Sequence, residues 1–280
     1  MRGADDWCAK FEEAVVQESI FDMIESLQTQ ATTHAGTANA AAKRMAIKEI
    51  ERHFSLDAEG RFRVGLALCR SGNHTAEEVG AYVLSSCYAE HQEEVANVLH
   101  KLADHTNWEV REWVADACGR ILAAHFDRFY PTMQMWTADP SDKVRRAVAL
   151  AAMYAGHCRI ADHAPKILDL IEALLPDRAV YVRENLGPFA LGSGLIRDYP
   201  IQVLDRLDHW IEIDDEQVRW NLAMIFSAAN GAKYAVAAKH VLALLEADSR
   251  PYVQKAVTKA IKNLRKRCKE YFIAQKEADF

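Results

Sequence analysis

The stretch Asp139-Pro140-Ser141-Asp142-Lys143-Val144-Arg145-Arg146-Ala147-Val148 decides the fold. Its first residues break and cap helices, because Asp and Ser side chains accept bonds from free backbone N–H groups and proline suits the first helical turn. Beyond the turn, apolar residues fall at helical spacing: Val144, Val148, Leu150, Ala151 and Met153. The same pairing of Val with a basic or amide residue recurs at Val110-Arg111, Val182-Arg183, Val218-Arg219 and Val253-Gln254, in steps of 34, 38, 36 and 35 residues. Self-similarity at that period marks a stacked array, since each unit buries its apolar face only against its neighbours.

An apolar helix precedes every copy: Val95 to Leu102, Phe129 to Trp136, Ile167 to Leu175, Val203 to Ile213 and Val241 to Leu245. A short turn carrying Asp or Asn separates it from the second helix, so the unit is a helical hairpin. Helix pairs of this length with Asp before Val-Arg resemble HEAT repeats, from about residue 90 to 265. That resemblance implies an all-α fold, an α-solenoid or superhelix of stacked HEAT-like hairpins. It also implies that turn Asp and Arg interact between neighbouring repeats. The second helices of such solenoids line a concave face, so Arg111, Arg145, Arg146, Arg183 and Arg219 are also expected to meet phosphate or carboxylate there.

Residues 1–90 are helical in pattern but poor in the repeat signal, and are expected to cap the array formed by residues 91–280. Phe11, Val15, Val16, Ile20, Met23, Ile24 and Leu27 share one amphipathic helix, and Met45, Ile47, Ile50 and Phe54 another. Residues 31–40 are small and polar enough for a loop or a helix start, and Arg61 to Cys69 with Glu77 to Cys87 make a further hairpin.

Half of the 280 residues are apolar and 26% charged, with a net charge of −6. No apolar run approaches the roughly 20 residues of a membrane span, and the first residues lack a signal-peptide core, so no membrane and a cytoplasmic location are expected. The six cysteines show no C-x-x-C pair and are expected to be buried thiols. The eleven histidines show no H-x-x-x-H, and the nearest group, His157-Cys158 with Asp162-His163, lies in a turn. No metal and no cofactor are expected. Gly192-Ser193-Gly194 reads as a flexible joint, and Pro188 after Gly187 as a kink.

Charge is unevenly spread. No acid occurs from Ser249 to Lys269, and Lys255, Lys259, Lys262 and Lys266 keep one helical face, a basic stripe on a C-terminal capping helix. The stripe suits an anionic partner, nucleic acid foremost. Trp113, Trp136, Trp210 and Trp220 fall at interhelix packing positions, whereas Trp108 stands in a turn before a helix.

From Ala103 to Pro200 the chain resembles the AlkD-type DNA-alkylation-repair glycosylases, HEAT solenoids that bind duplex DNA. The similarity rests on Gly119 with His125, Trp136 followed ten residues later by Arg146, and Val182-Arg183-Glu184-Asn185-Leu186-Gly187. Members of that family use a Trp-x-x-x-Asp pair, an Arg and a further Trp around an excised cationic base. In this chain the Arg is kept as Arg146. The Asp position falls on Arg111, the first Trp on Asn107 and the last on Pro188. A one-residue shift puts Trp108 and Glu112 at the Trp-x-x-x-acid spacing. HEAT-type di-iron hydroxylases use His-Glu dipeptides, and this chain has none.

The leading expectation is a non-enzymatic module that binds a protein partner or duplex DNA through its concave face, with Trp108 and Trp113 beside the arginines. The alternative is a divergent glycosylase using Glu112 or Asp116 as the acid, Trp108 or Trp113 as the stacking ring, and Arg146.

Overall fold

The computed structural model describes residues 4–268 and 270–272. The fold is all-α: among the described residues the only β feature is an isolated bridge between Ala31 and Ala38. The chain forms two compact units, divided between His125 and Phe126.

The first unit holds α1 (Ala4–Val16), α2 (Ile20–Gln28), α3 (Ala40–His53), α4 (Ala58–Cys69), α5 (His74–Ser85), α6 (Gln92–Ala103) and α7 (Trp108–Ala124). The single amphipathic helix expected from Phe11 to Leu27 is two. Glu18 takes a positive φ of 50°, which ends α1, and Ser19 caps α2 by accepting from the Asp22 N–H. Apart from Val16, which is exposed, the apolar residues on both sides still reach one core, formed by Phe11, Val15, Met23, Leu27, Ile47, Ile50 and Phe54 with Val79 and Val83. Met45 departs from that face and is exposed. Residues 31–40 form a loop that turns at Gly36, whose φ is +74°, and ends where Asn39 caps α3. The hairpins α4–α5 and α6–α7 come next, with α5 packed on both α3 and α7.

In the second unit the hairpins are α8 (Phe126–Trp136) with α9 (Asp142–Gly156), and α10 (Ala164–Leu174) with α11 (Val180–Asn185). Beyond α11 come a π-helical stretch, Leu186–Leu195, and one turn, α12 (Ile196–Asp198). The remaining pairs are α13 (Pro200–Trp210) with α14 (Glu216–Ile225), and α16 (Lys239–Glu246) with α17 (Pro251–Arg267); the short α15 (Ala229–Ala232) lies between them. Second helices stack in sequence, α9 on α11 and the π stretch, that stretch on α14, and α14 on α17. Val144, Val182, Val218 and Val253, the apolar members of the repeated pair, are all buried in these contacts.

Pro188 interrupts its helix as its missing N–H dictates, and the interruption takes the form of the wider π turn. Gly192-Ser193-Gly194 is not a flexible joint. It lies within the π stretch, where a Cβ on Gly192 would sit 2.7 Å from the Ile225 carbonyl oxygen and one on Gly194 would strike Met153 at 2.3 Å. These glycines are there for close helix packing.

Candidate nucleic-acid interface

The repeated arginines divide into two kinds. Arg145 donates from Nη1 back to the carbonyls of Asp139 and Pro140 at 2.7 and 3.1 Å, and forward from Nε to the carboxylate of Asp177 at 2.6 Å. Arg111 makes the same backward pair, to His105 and Thr106 at 2.6 and 2.8 Å. Arg219 reaches forward to Asp248 at 2.8 Å. Of these, Arg145 to Asp177 and Arg219 to Asp248 are the inter-repeat contacts that HEAT-like stacking implies, whereas the backward bonds close each arginine's own turn. Two arginines, Arg250 first and then Arg219, hold the buried Asp248 carboxyl well below the usual carboxylate range.

Arg183 is the exception. The carboxylates one turn on are engaged elsewhere: Asp215 accepts from the Gln217 and Val218 N–H groups as the cap of α14 and pairs with Arg178, and Asp214 meets Arg250. Arg183 lies instead against two rings, its guanidinium carbon 5.4 Å from the Trp220 centroid and 5.6 Å from that of Tyr252. Those rings stack on each other at 6.1 Å and 17°. One helix earlier, Arg146 packs its guanidinium 4.7 Å from the Tyr181 centroid. Guanidinium and aromatic groups thus alternate from α9 to α11, and α14 and α17 each add one ring of a stacked pair. Attraction between a cation and a ring face favours such pairs.

Further along α17, Lys255, Lys259, Lys262 and Lys266 are all exposed, while Val253, Ala256, Val257, Ala260 and Leu264 are buried on the opposite face. The basic stripe thus stands in solvent as its spacing implies. Lys269, the last basic residue of that run, lies outside the described residues.

In the first unit, α7 carries the other expected site residues. Trp108 begins the helix and is 54% exposed, and Glu112 comes one turn later on the same face; Glu112 and Asp116 are both half-buried. Trp113 is different. It packs into the core, with Tyr82 edge-on at 5.8 Å and the ammonium of Lys43 at 5.1 Å from its centroid.

That ammonium belongs to a buried network with no signal in the sequence, since Lys43 among alanines reads as a surface residue. Its Nζ meets Glu78 at 2.6 Å, Glu109 at 2.9 Å and the Thr37 hydroxyl at 3.1 Å. Burial pushes the Glu78 carboxyl up to about 7 against the pull of Lys43. For Glu109 burial is outweighed by hydrogen bonds from Thr37, Lys43 and Thr33, so its carboxyl stays below its usual range.

His157, Asp162 and His163 do not gather: His157 faces Asp198 at 3.8 Å and His163 stacks on Phe126 at 3.8 Å. Instead, His74 and Glu77 of α5 meet His105 before α7, the one group of metal-ligating side chains that converges among the described residues. The spacing suits a metal, but Asn107 opposes ligation. Its Oδ1 accepts from the Glu109 N–H, which leaves Nδ2 donating to the Ala35 carbonyl and to His74 Nδ1 at 2.8 Å. The Asn107 backbone N–H donates to His105 Nδ1 at 3.0 Å. Both rings thus face N–H donors at Nδ1, the reverse of a ligating histidine, whose second nitrogen donates to an acceptor. Cys69, Cys87, Cys118 and Cys268 are buried as expected; Cys8 is half-buried and Cys158 exposed.

No curated protein matches the chain. Its structure is similar to that of AlkD2 from Streptococcus mutans, with a TM-score of 0.58 and 16% identity over 74% of this chain and 97% of that one. It is also similar to smu.31 from Streptococcus mutans UA159, with a TM-score of 0.50 and 16% identity over 65% and 97% of the two chains. At such identities these likenesses carry the fold alone, an all-α, HEAT-like solenoid class. The family model described as DNA alkylation repair enzyme matches residues 30–189, more than half of the chain, and together with the paired-helix repeats this places the protein in the DNA alkylation repair enzyme family.

Proposed function

We propose that the protein binds duplex DNA through the second helices of its repeats and does so without excising a base. The observation that carries this reading is the file of Tyr181, Arg183, Trp220 and Tyr252 in the second unit, backed by Arg146, which is buried at 7% exposure, and continued along α17 by four exposed lysines. Cations interleaved with rings suit a polyanion that also offers flat surfaces. Against excision stands Arg111. It falls where the resembling glycosylases have a carboxylate, and it is held on the carbonyls of His105 and Thr106. A guanidinium there repels the cationic base that a carboxylate would stabilise.

One observation favours excision as the second reading. Exposed Trp108 and half-buried Glu112 share a face of α7, a ring and a carboxylate one turn apart. Glu112 would then stabilise the oxocarbenium-like sugar and Trp108 would stack on the alkylated base.

Duplex binding measured across a salt series separates these readings. DNA binding predicts an affinity that falls linearly with salt on logarithmic axes, because phosphate contacts release counterions. No binding at low salt would sink both and turn the search to a protein partner. If DNA binds, release of 7-methyl or 3-methyl purine that Glu112→Gln abolishes supports the glycosylase; absence of release from the wild type supports the binding module.

A further inference from the structure

We infer that Arg183, Tyr252 and Gln217 build an oxyanion-binding subsite in the second unit, with Trp220 as its aromatic wall. The inference rests on the DNA-binding reading for the identity of its ligand, a backbone phosphate. The chemistry of the receptor stands on its own observations.

The first is the missing carboxylate. Arg145 and Arg219 are each neutralised by the aspartate of a following turn, whereas Arg183 meets a phenol and two ring faces. Between two rungs that each hold an aspartate, Arg183 is a guanidinium that is positioned by rings and a phenol and has no carboxylate partner.

The second is a set of hydrogen-bond donors with nothing to donate to. Arg183 Nη1 donates to the Tyr252 hydroxyl, and that hydroxyl donates to Gln217 Oε1 at 2.8 Å. The chain of bonds fixes the Gln217 amide, so its Nε2 points away from the phenol with both protons available. Gln217 is 1% exposed, and both its Nε2 and Arg183 Nε are buried without a hydrogen-bond acceptor. Buried polar groups are almost always paired, because leaving one unmet forfeits its hydration. Arg219 Nε, on an arginine that Asp248 neutralises, is orphaned as well, so the distinguishing donor is Gln217 Nε2; joined through one phenol to a cation without a carboxylate partner, it calls for an acceptor that carries negative charge. Tetrahedral oxyanions supply several acceptor oxygens at once and are the ligands arginine forks favour.

The third is position. Gln217, Trp220 and Tyr252 lie beyond the residues 30–189 matched by the family model, so the subsite is a feature of this chain's later repeats. Their side chains come from α14 and α17, and Arg183 from α11.

The test uses the full chain and two variants. Gln217→Glu keeps an acceptor for the Tyr252 hydroxyl and places an internal carboxylate beside Arg183, while Arg183→Gln removes the cation. Arg145→Gln is the control, a ladder arginine outside the subsite. Inorganic phosphate is titrated against chloride at equal ionic strength, with backbone amide NMR shifts as the readout. Duplex DNA binding is measured over the same salt range.

Saturable phosphate shifts in the wild type and the Arg145→Gln control, lost in Gln217→Glu and Arg183→Gln, support the subsite. A DNA affinity reduced about tenfold in both variants, with a salt slope shallower by about one, supports a backbone phosphate as the ligand. Phosphate shifts without any change in DNA binding overturn that ligand and make the site a receptor for free oxyanions. If phosphate shifts nothing, or shifts the variants as it does the wild type, the subsite is overturned and water alone satisfies the donors. DNA binding by the wild type in that case leaves the broader reading standing.

Discussion

Asp248 shows most clearly what a single repeat residue does. Its carboxylate, 2% exposed, accepts from the Arg219 guanidinium at 2.8 Å and from the Arg250 backbone N–H at 2.9 Å, and pairs with the Arg250 guanidinium at 2.6 Å. Asp248→Asn is expected to cost about 2 kcal/mol at pH 7, less than for a fully buried pair because the Arg219 and Arg250 side chains left without this counter-ion are 23% and 29% exposed. Urea denaturation measures this loss. The depressed carboxyl also sets the sign of the pH dependence. Its contribution is complete above the ordinary carboxylate range and is lost as pH falls through the folded-state value, where the native site finally takes up a proton. The asparagine variant should therefore lose less stability on acidification than the wild type. An equal acid response in both proteins would mean that Asp248 is not the group being titrated.

At the scale of elements, the hairpins were legible because their evidence is local and repeated. A capping turn, a Val-Arg pair and apolar spacing near 3.6 recur every 34 to 38 residues, and each observed second helix begins where that pattern places it. The failures were local too. One positive φ at Glu18 split a helix that periodicity alone would join. The π stretch was also illegible, since three glycines within eight residues suggest looseness when read as composition. Their function appears only against α14 and α9, which approach too closely for a side chain. Gly192→Ala should lower stability by about 2 kcal/mol, because its methyl meets the Ile225 carbonyl oxygen at 2.7 Å and backbone does not yield cheaply. A thermal melt that leaves the midpoint unchanged would contradict that packing. The candidate subsite was hidden for another reason: its members are 34, 35 and 69 residues apart and converge only because three second helices stack.

Over the whole molecule, a net charge of −6 argues against a polyanionic partner only if charge is averaged. Counterion release depends on the cations that touch phosphate, not on the sum. Replacing Lys255, Lys259, Lys262 and Lys266 together by Gln should leave stability within about 0.5 kcal/mol, because all four are exposed. In DNA binding the same variant should give a salt slope shallower by about one for each lysine that meets a phosphate. An unchanged slope would make the stripe a solvated face of the terminal hairpin. The last copy of the repeated pair has a different consequence. Gln254, standing where the earlier copies have arginine, donates from Nε2 to the carbonyls of Leu245 and Glu246 at the end of α16 and of Asp248 in the turn. Arg145 looks both ways along the array, backward to carbonyls and forward to an aspartate; Gln254 looks only back. A neutral amide at that rung keeps the backward clasp and gives up the forward ion pair, so the turn before α17 is fastened to its helix by neutral hydrogen bonds that added salt does not screen.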